Sequence, residues 1–237
     1  MQTLNDAGRG CRQPLQSVGE FFNKLSPEAA KDLMLLEHPT SYPSNIVLFS
    51  ERDPAQGVFV VLEGEVKLSI NSSDGKRLIL RIAKKGEILG MDSALSGQAS
   101  EMTAETLYPS KIAKITRRDF LGFMARHPEA YQVVTEELSR QISMACAQLR
   151  TVALSASAPE KLARLLLDLG RNGGQATDVG TRFRFSLTHE EIGEFIGTSR
   201  ETVTRTLSVF KTRHLVDFHG STLTIPNKTA LASYAGC

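Results

Sequence analysis

Hydrophobic positions in the first half of the chain follow the period of two that β-strands show. In residues 65–70 (EVKLSI) apolar and polar side chains alternate, and the segment 78–82 alternates again. The intervening NSSDG at 71–75 favours a hairpin turn in which Gly75 takes positive φ. Short strands punctuated by glycines fill residues 42–115, which predicts a small antiparallel barrel or sandwich.

The longest helical pattern runs from about residue 128 to residue 153, where apolar residues recur at intervals of three and four. A helix of this length spans about 39 Å, which is more than a small barrel needs for its own cover. We therefore predict a homodimer seam on this helix, with packing against the barrel as the alternative. The predicted seam consists of Leu138, Ile142, Ala145, Leu149 and Val152.

Shorter helical segments lie on either side of this region. Residues 26–37 predict a helix with an N-capping serine and a proline in its first turn. After the small-residue segment ALSASA at 153–158, Ser157 and Glu160 form a capping-box pattern, and Gly170 is expected to end the helix that follows.

The last part of the chain combines strand and helix patterns. Residues 171–180 (RNGGQATDVG) predict a loop, residues 182–187 (RFRFSL) a strand, and the alternation around His219 and Gly220 a hairpin. Between these strands lies LTHEEIGEFIGTSRETVTRTLSVFKTRHL, residues 187–215.

This segment has the pattern of a helix-turn-helix unit. Thr188 can cap a first helix, Gly197 breaks it, and Ser199 can cap a second helix. Two short amphipathic helices joined by a glycine-containing turn place the second helix in the DNA major groove. With its flanking strands, the unit predicts a winged helix-turn-helix.

Charged side chains cluster on the first turns of the second helix. Arg200 and Arg205 suit the O6/N7 edge of guanine, and Glu201 can accept from cytosine N4, so we predict that these three read bases. The alternative is that they form surface ion pairs worth a few tenths of a kcal/mol. Hydroxyls near helix N-termini suit phosphates. The predicted phosphate contacts are Thr188, Ser199, Thr202 and Thr204.

Charge is distributed unevenly although the net charge is only +2. From Pro159 onward there are ten Lys/Arg and eight Asp/Glu, so the whole excess of positive charge lies in the helix-turn-helix part.

The sequence contains no apolar run long enough for a membrane span and no N-terminal signal region, which predicts a cytoplasmic protein. It shows no nucleophile–base set, phosphate loop or metal-ligand spacing, so we predict no enzymatic activity.

Cysteine usage excludes two further classes of site. Cys11, Cys146 and Cys237 are odd in number and far apart, which argues against a disulfide framework or a structural zinc site. Cys146 lies within the long helical pattern and is predicted to be a small buried hydrophobe.

The segment SLTHEEIGEFIGTSRETVTRTLSVF closely resembles the helix-turn-helix of the family of the cyclic-AMP receptor protein and the fumarate-nitrate reduction regulator. Residues 42–90 resemble that family's cyclic-nucleotide-binding-like β-roll, and the long helix falls where the family has its dimerisation helix. The resemblance covers residues 22–228 and implies an α+β fold. The implied parts are an N-terminal arm (1–21), a β-roll sensor domain (22–125), a dimerisation helix (126–154) and a winged helix-turn-helix DNA-binding domain (155–237).

The resemblance implies a homodimeric transcription regulator that binds double-stranded DNA, and that contacts RNA polymerase if it is an activator. Arg200, Glu201 and Arg205 match the three base-reading positions of the receptor protein. The implied operator therefore resembles TGTGA-N6-TCACA. The fumarate-nitrate branch has valine where Arg200 stands, so the implied specificity follows the receptor-protein branch.

The sensor half departs from the cyclic-AMP pattern. Met91 stands where the family has a ribose-binding glutamate, and Ser100 and Glu101 replace the Arg-Ser pair that binds the cyclic phosphate. Ala145 and Cys146 stand where the family has a hydroxyl pair that touches adenine. Without the arginine the phosphate loses its charge-assisted partner, so we expect no control by cAMP. The candidate effector pocket comprises Gly90, Met91, Ser100, Glu101, Ala145 and Cys146.

Residues 86–97 (GEILGMDSALSG) instead resemble the fumarate-nitrate branch, which holds an iron–sulfur cluster on four cysteines. Cys11 alone in the arm cannot supply that set, so no cluster is expected. His38 and His127 are expected to be surface or packing residues and not haem ligands, and no cofactor or metal is predicted. The alternative function is a cyclic-nucleotide-binding-like ligand-sensing module that acts through protein partners.

Overall fold

We describe the chain from a computed structural model, which covers residues 19–154, 157–185 and 187–235. Two short helices precede the β-rich domain: α1 (Glu20–Lys24) and α2 (Pro27–Leu35). The Ser26 hydroxyl accepts from the backbone N–H of Ala29, so the predicted N-cap of α2 is confirmed. Phe21 and Phe22 are buried and hold α1 against the domain core.

Two four-stranded antiparallel sheets form the β-rich domain, as predicted. Their strand orders are β1-β8-β3-β6 and β2-β7-β4-β5. Phe59 and Val61 from one sheet and Val66 and Leu68 from the other share a buried apolar layer. The strands are β1 (His38–Tyr42), β2 (Val47–Phe49), β3 (Gly57–Glu63), β4 (Glu65–Asn71), β5 (Arg77–Lys84), β6 (Ile88–Leu89), β7 (Thr103–Thr106) and β8 (Ser110–Thr116), with α3 (Met91–Ser96) before β7.

The β4–β5 hairpin turns where the sequence predicts, with Gly75 at φ 81°. Two helices follow the sheets: α4 (Arg117–Arg126) and the long α5 (Ala130–Leu154). The buried side chains of α5 lie in its first turns, at Ala130, Val133 and Val134. The rest of α5, about 30 Å of helix, extends past the domain core with apolar side chains exposed.

His127 occupies the corner between α4 and α5. Its Nε2 lies 3.0 Å from Asp32 Oδ2 on α2, and its Nδ1 lies 3.4 Å from Glu129 Oε1. The hydrogen bond with Asp32 and then that with Glu129 raise the pKa of His127 above 6.5. The side chain therefore joins α2 to the start of α5, and it is a packing residue as expected.

This corner should stabilise the protein more at low pH than at high pH. A histidine pKa raised by folding contributes stability below its unfolded value of 6.5, and the contribution is lost as the pH rises through the folded pKa. We expect His127→Gln to lower the melting temperature more at about pH 6 than at about pH 8.5. Paired thermal melts at the two pH values measure this, and an equal decrease at both would contradict it.

The C-terminal domain begins with α6 (Ala158–Gly173), whose N-cap Ser157 accepts from the backbone N–H of Glu160. The prediction that Gly170 ends this helix is wrong. Gly170 faces Phe183 and Ile225, and burial against those strands outweighs the low helix propensity of glycine. The helix ends instead at Gly173, and the N–H of its C-cap Gly174 donates to the Gly170 carbonyl.

The predicted loop at 171–180 is also partly wrong, since it begins as helix and contains a strand. The strands form one antiparallel sheet in the order β11-β12-β10-β9. The elements after α6 are β9 (Gln175–Thr177), β10 (Gly180–Arg184), α7 (His189–Ile196), α8 (Arg200–Thr212), β11 (Asp217–His219), β12 (Thr222–Ile225) and α9 (Lys228–Ala232). Gly220 takes φ 60° between β11 and β12, as the predicted hairpin requires. None of the helices described is both long and apolar enough to cross a membrane.

Candidate nucleic-acid interface

Helices α7 and α8 form the helix-turn-helix unit that the sequence predicts. The Thr188 hydroxyl accepts from the N–H of Glu191, and the Glu191 carboxylate accepts from the N–H of Thr188, which completes a capping box. Gly197 ends α7 in the left-handed region at φ 63°. Ser199 caps α8 by accepting from the N–H of Thr202.

Close packing between the two helices depends on Gly193, which sequence analysis did not single out. A Cβ at this position would lie 2.7 Å from the Thr198 carbonyl oxygen, so only glycine fits inside the turn. Its position in the middle of a short helix is the available sequence signal. The apolar residues packed beneath the unit are Ile192, Phe195, Ile196, Val203, Leu207 and Phe210.

Arg200, Glu201 and Arg205 are all exposed on the outer face of α8. Within the described part of the chain no salt bridge shorter than 4.0 Å involves any of the three, although Arg200 and Arg205 are close enough for their charges to help lower the pKa of Glu201. The backbone N–H of Glu201 and then the Ser199 hydroxyl lower the pKa of the Glu201 carboxyl. This group is therefore an ionised acceptor, as a contact with cytosine N4 requires.

Local hydrogen bonds engage the four hydroxyls predicted to contact phosphates. Thr188 donates to Glu191 within the capping box, and Ser199 lies 3.2 Å from the Thr202 hydroxyl. Thr202 also accepts from Arg205 at 3.4 Å. The Thr204 hydroxyl donates to the Arg200 carbonyl at 2.9 Å, so its only proton is used inside the helix.

A buried group of charges docks the helix-turn-helix on the β-rich domain. We call Lys67, Arg77, Glu105, Glu191 and Glu194 the interdomain ion cluster. Lys67 Nζ lies 2.7 Å from Glu191 Oε1 and 3.1 Å from Glu105 Oε1, and the residue is only 3% exposed. Arg77 bonds to Glu105 and lies 4.0 Å from Glu194. The cluster thus joins β4, β5 and β7 to α7.

The pKa values of these carboxyls follow from burial and from their cations. Burial alone raises the pKa of Glu191, but hydrogen bonds from Lys67 and the Thr188 backbone outweigh it and the net shift is downward. Burial likewise raises the pKa of Glu105, but hydrogen bonds from Arg77 and Lys67 outweigh it, so the net shift is downward. Burial raises the pKa of Glu194, which has the weakest cation contact.

Gln148 on α5 connects the long helix to both domains. Its side-chain amide donates to the Ile79 carbonyl on β5 at 3.0 Å and to the Phe195 carbonyl on α7 at 2.7 Å. Arg184 lies over the ring of Tyr108, 4.3 Å from its centroid. The Gln148 contacts join α5 to β5 and α7, the Arg184 contact joins the C-terminal domain to the β-rich domain, and sequence analysis identified none of them.

The six residues of the candidate effector pocket do not line one cavity. Met91, the first residue of α3, is buried in the core, whereas Glu101 and Cys146 are exposed. Within the single chain Cys146 is exposed, contrary to the prediction, on the side of α5 that carries Ile142 and points away from the sheets. Cys11 and Cys237 lie outside the described residues.

A groove of about 490 Å³ does lie between α3, β5 and α5. Ala145 is the one residue of the candidate pocket that lines it, and Gly90 and Ser100 lie apart from it as the N-cap of α3 and a buried loop residue. No group of three or more His, Cys, Asp or Glu residues suited to a metal ion occurs in the described parts. The groove is lined by Leu80, Arg81, Asp92, Leu95, Ser96, Met102, Leu138, Gln141, Ile142 and Ala145.

The predicted seam on α5 divides between exposed and half-buried positions. Ile142 is 65% exposed and Leu149 is 56% exposed. Leu138 and Ala145 are half-buried beside the groove, and Val152 lies next to Gly197 in the helix-turn-helix. An apolar stripe therefore remains uncovered along the outer side of α5.

Two family models match the chain. Residues 39–127 match the cyclic nucleotide-binding domain, and residues 160–234 match the Crp-like helix-turn-helix domain. The chain is 25% identical over 215 residues to the CRP-like cAMP-activated global transcriptional regulator of Mycobacterium tuberculosis, covering 91% of this chain and 96% of that protein. It is 26% identical over 189 residues to the cAMP-activated global transcriptional regulator CRP of Pasteurella multocida, covering 79% and 90%.

The fold agrees with a solved relative. The structure of FixK2 from Bradyrhizobium japonicum superposes with a TM-score of 0.74 at 22% sequence identity, covering 84% of this chain and 96% of that chain. The order of domains is the one that the resemblance implied. With its β-roll, long helix and DNA-binding winged helix-turn-helix, the chain belongs to the CRP/FNR family of transcription regulators.

Proposed function

We propose that the protein is a homodimer that binds a palindrome resembling TGTGA-N6-TCACA, with one recognition helix α8 in each half-site. The observation that carries this proposal is the set of exposed side chains without salt bridges, Arg200, Glu201 and Arg205, on a capped and well-packed helix. Two arginines and a carboxylate have the donor and acceptor chemistry for G·C pairs. A two-fold operator also needs two recognition helices about 34 Å apart.

The exposed stripe on α5 supports a homodimer. Ile142 and Leu149 lie two turns apart on one face and are more than half exposed. Two copies of the stripe are self-complementary, as a two-fold interface requires. Packing α5 against α5 would also place the two α8 helices on the same side of the assembly, because Gln148 ties each α5 to its own α7.

We further propose that cAMP does not control this protein. Ser100 and Glu101 offer no cation for a cyclic phosphate, and the glutamate expected at the ribose is a buried methionine, Met91. The groove beside α5 is lined mainly by apolar side chains. Its chemistry suits an apolar group better than a nucleotide.

Binding to labelled duplexes by fluorescence anisotropy tests the function. We expect the wild-type protein to prefer the palindrome over a scrambled duplex, with no change on adding cAMP. Arg205→Ala should cost about 1–3 kcal/mol per half-site on the palindrome, because it removes a bidentate contact to guanine, and should relax the preference at one base pair.

Arg118→Ala is the matched control, because this arginine lies on α4 with its side chain 93% exposed. Its affinity for the palindrome should equal that of the wild type. Equal losses on palindromic and scrambled DNA after Arg205→Ala would contradict base reading. Equal wild-type affinity for both duplexes would favour the ligand-sensing alternative.

A further inference from the structure

His189 lies beside the proposed base-reading side chains of α8 and is not one of the predicted base or phosphate contacts. It is the first residue of α7 and is exposed. Its Nδ1 lies 2.8 Å from the Thr204 hydroxyl on α8. Within the described residues its Nε2 makes no hydrogen bond.

The hydrogen bonds of Thr204 determine which tautomer His189 adopts. A hydroxyl has one proton, and Thr204 donates that proton to the Arg200 carbonyl. Thr204 must therefore accept from Nδ1–H of His189. In the neutral ring this leaves a lone pair on Nε2, and in the protonated ring Nε2 becomes a second donor.

His189 lies at the exposed start of α7, next to the face of α8 that carries Arg200 and Arg205. In a helix-turn-helix complex, the first helix crosses the DNA backbone while the second lies in the groove. Thr204 is one turn from Arg200 on the face of α8 that carries the reading side chains. His189 contacts that face from α7, so a strand passing over the start of α7 meets its imidazole.

We propose that His189 contacts the DNA backbone through a protonated Nε2, so that DNA binding is coupled to proton uptake by this imidazole. This inference rests on the proposed DNA-binding function. A phosphate accepts from a protonated ring and is repelled by the lone pair of a neutral one, so DNA favours the charged form. The Thr204 hydroxyl then positions the ring and does not itself contact phosphate.

The charged residues near His189 lie on α7 and α8. On α7, Glu190 is exposed and Glu191 is already bonded to Lys67 and Thr188. On α8, Arg200 and Arg205 are the cations close to Thr204 in sequence. Glu201 on the same turn faces Arg200 and Arg205, and Lys67 pairs with Glu191, so these carboxylates already have cations close to them and the phosphate of the duplex supplies the additional negative charge.

Two substitutions separate the roles of the two ring nitrogens. His189→Asn retains an amide N–H that can donate to Thr204 but has no group in place of Nε2. His189→Arg supplies a cation at every pH. We expect wild-type affinity for the palindrome to fall about fivefold per half-site between about pH 6 and about pH 8, as the loss of one exposed charge-assisted contact in each subunit predicts. His189→Asn should bind at both pH values with the weaker affinity, and His189→Arg with the stronger one.

The salt dependence gives an independent measurement. At about pH 6, His189→Asn should lower the slope of log affinity against log salt by about 1 per subunit, equally on palindromic and scrambled DNA. Identical pH and salt dependence in wild type and His189→Asn would overturn the role of His189. That outcome leaves the wild-type preference for the palindrome intact, whereas failure of the proposed function removes that preference.

Discussion

Replacing Lys67 with methionine should destabilise the docked arrangement of the two domains by about 3–5 kcal/mol, the usual cost of removing one partner of a buried ion pair. Lys67 is 3% exposed and bridges Glu105 and Glu191. Arg77 can still neutralise Glu105, but Glu191 loses the cation that it bonds. We expect the helix-turn-helix to leave the β-roll so that water can hydrate this carboxylate.

Hydrogen exchange measures this release directly. Exchange should accelerate in α7 and in β4 while the core strand β3 keeps its protection. Affinity for the palindrome should fall as well, because the docking sets the position of each recognition helix relative to α5.

Two controls separate the buried charge from other effects. Lys76→Met removes an exposed cation from the same hairpin, where Lys76 pairs with Asp74, and should cost no more than about 1 kcal/mol. Glu191→Gln removes the charge but keeps a side chain that can complete the capping box, so α7 should remain helical. Unchanged exchange in α7 after Lys67→Met would show that the ion cluster does not hold the domains together.

Replacing Ile142 with aspartate should convert the proposed homodimer into a monomer and weaken binding to the palindrome by at least about 100-fold. Ile142 lies in the middle of the exposed stripe on α5. A two-fold interface would bury the new carboxylate twice, and each buried unpaired charge costs several kcal/mol. A monomer occupies one half-site and forfeits the contacts of the other.

Ala147→Asp is the matched control, because Ala147 is exposed on α5 about 140° around the helix from Ile142. It introduces the same charge outside the seam and should remain dimeric with wild-type affinity. Light scattering after size-exclusion chromatography gives the mass of each variant. A dimer that persists in Ile142→Asp would place the interface elsewhere.

The helix-turn-helix could be predicted from sequence because its determinants are local. Thr188, Gly197 and Ser199 cap or end helices through contacts within a few residues, and each cap forms in the structure as predicted. The β-hairpin at Gly75 follows the same logic, since a turn that needs positive φ favours glycine.

Local rules failed where burial decided the outcome. Gly170 has the sequence signal of a helix end, yet α6 continues through it because that side of the helix packs on Phe183 and Ile225. Cys146 fits an apolar helical pattern but is exposed, because the sheets cover a different side of α5. Periodicity identifies an apolar stripe and does not say which element covers it.

By itself the sequence determined that a strand-rich region precedes a long helix and a helix-turn-helix, and it located the β4–β5 hairpin and helices α7 and α8. All of these follow from short-range patterns of polarity and capping. Only the tertiary structure decided that Lys67 meets Glu191, 124 residues away, and that His189 holds Thr204. Such contacts join elements that are distant in sequence, and an isolated lysine or histidine carries no periodic signal of the partner that folding brings to it.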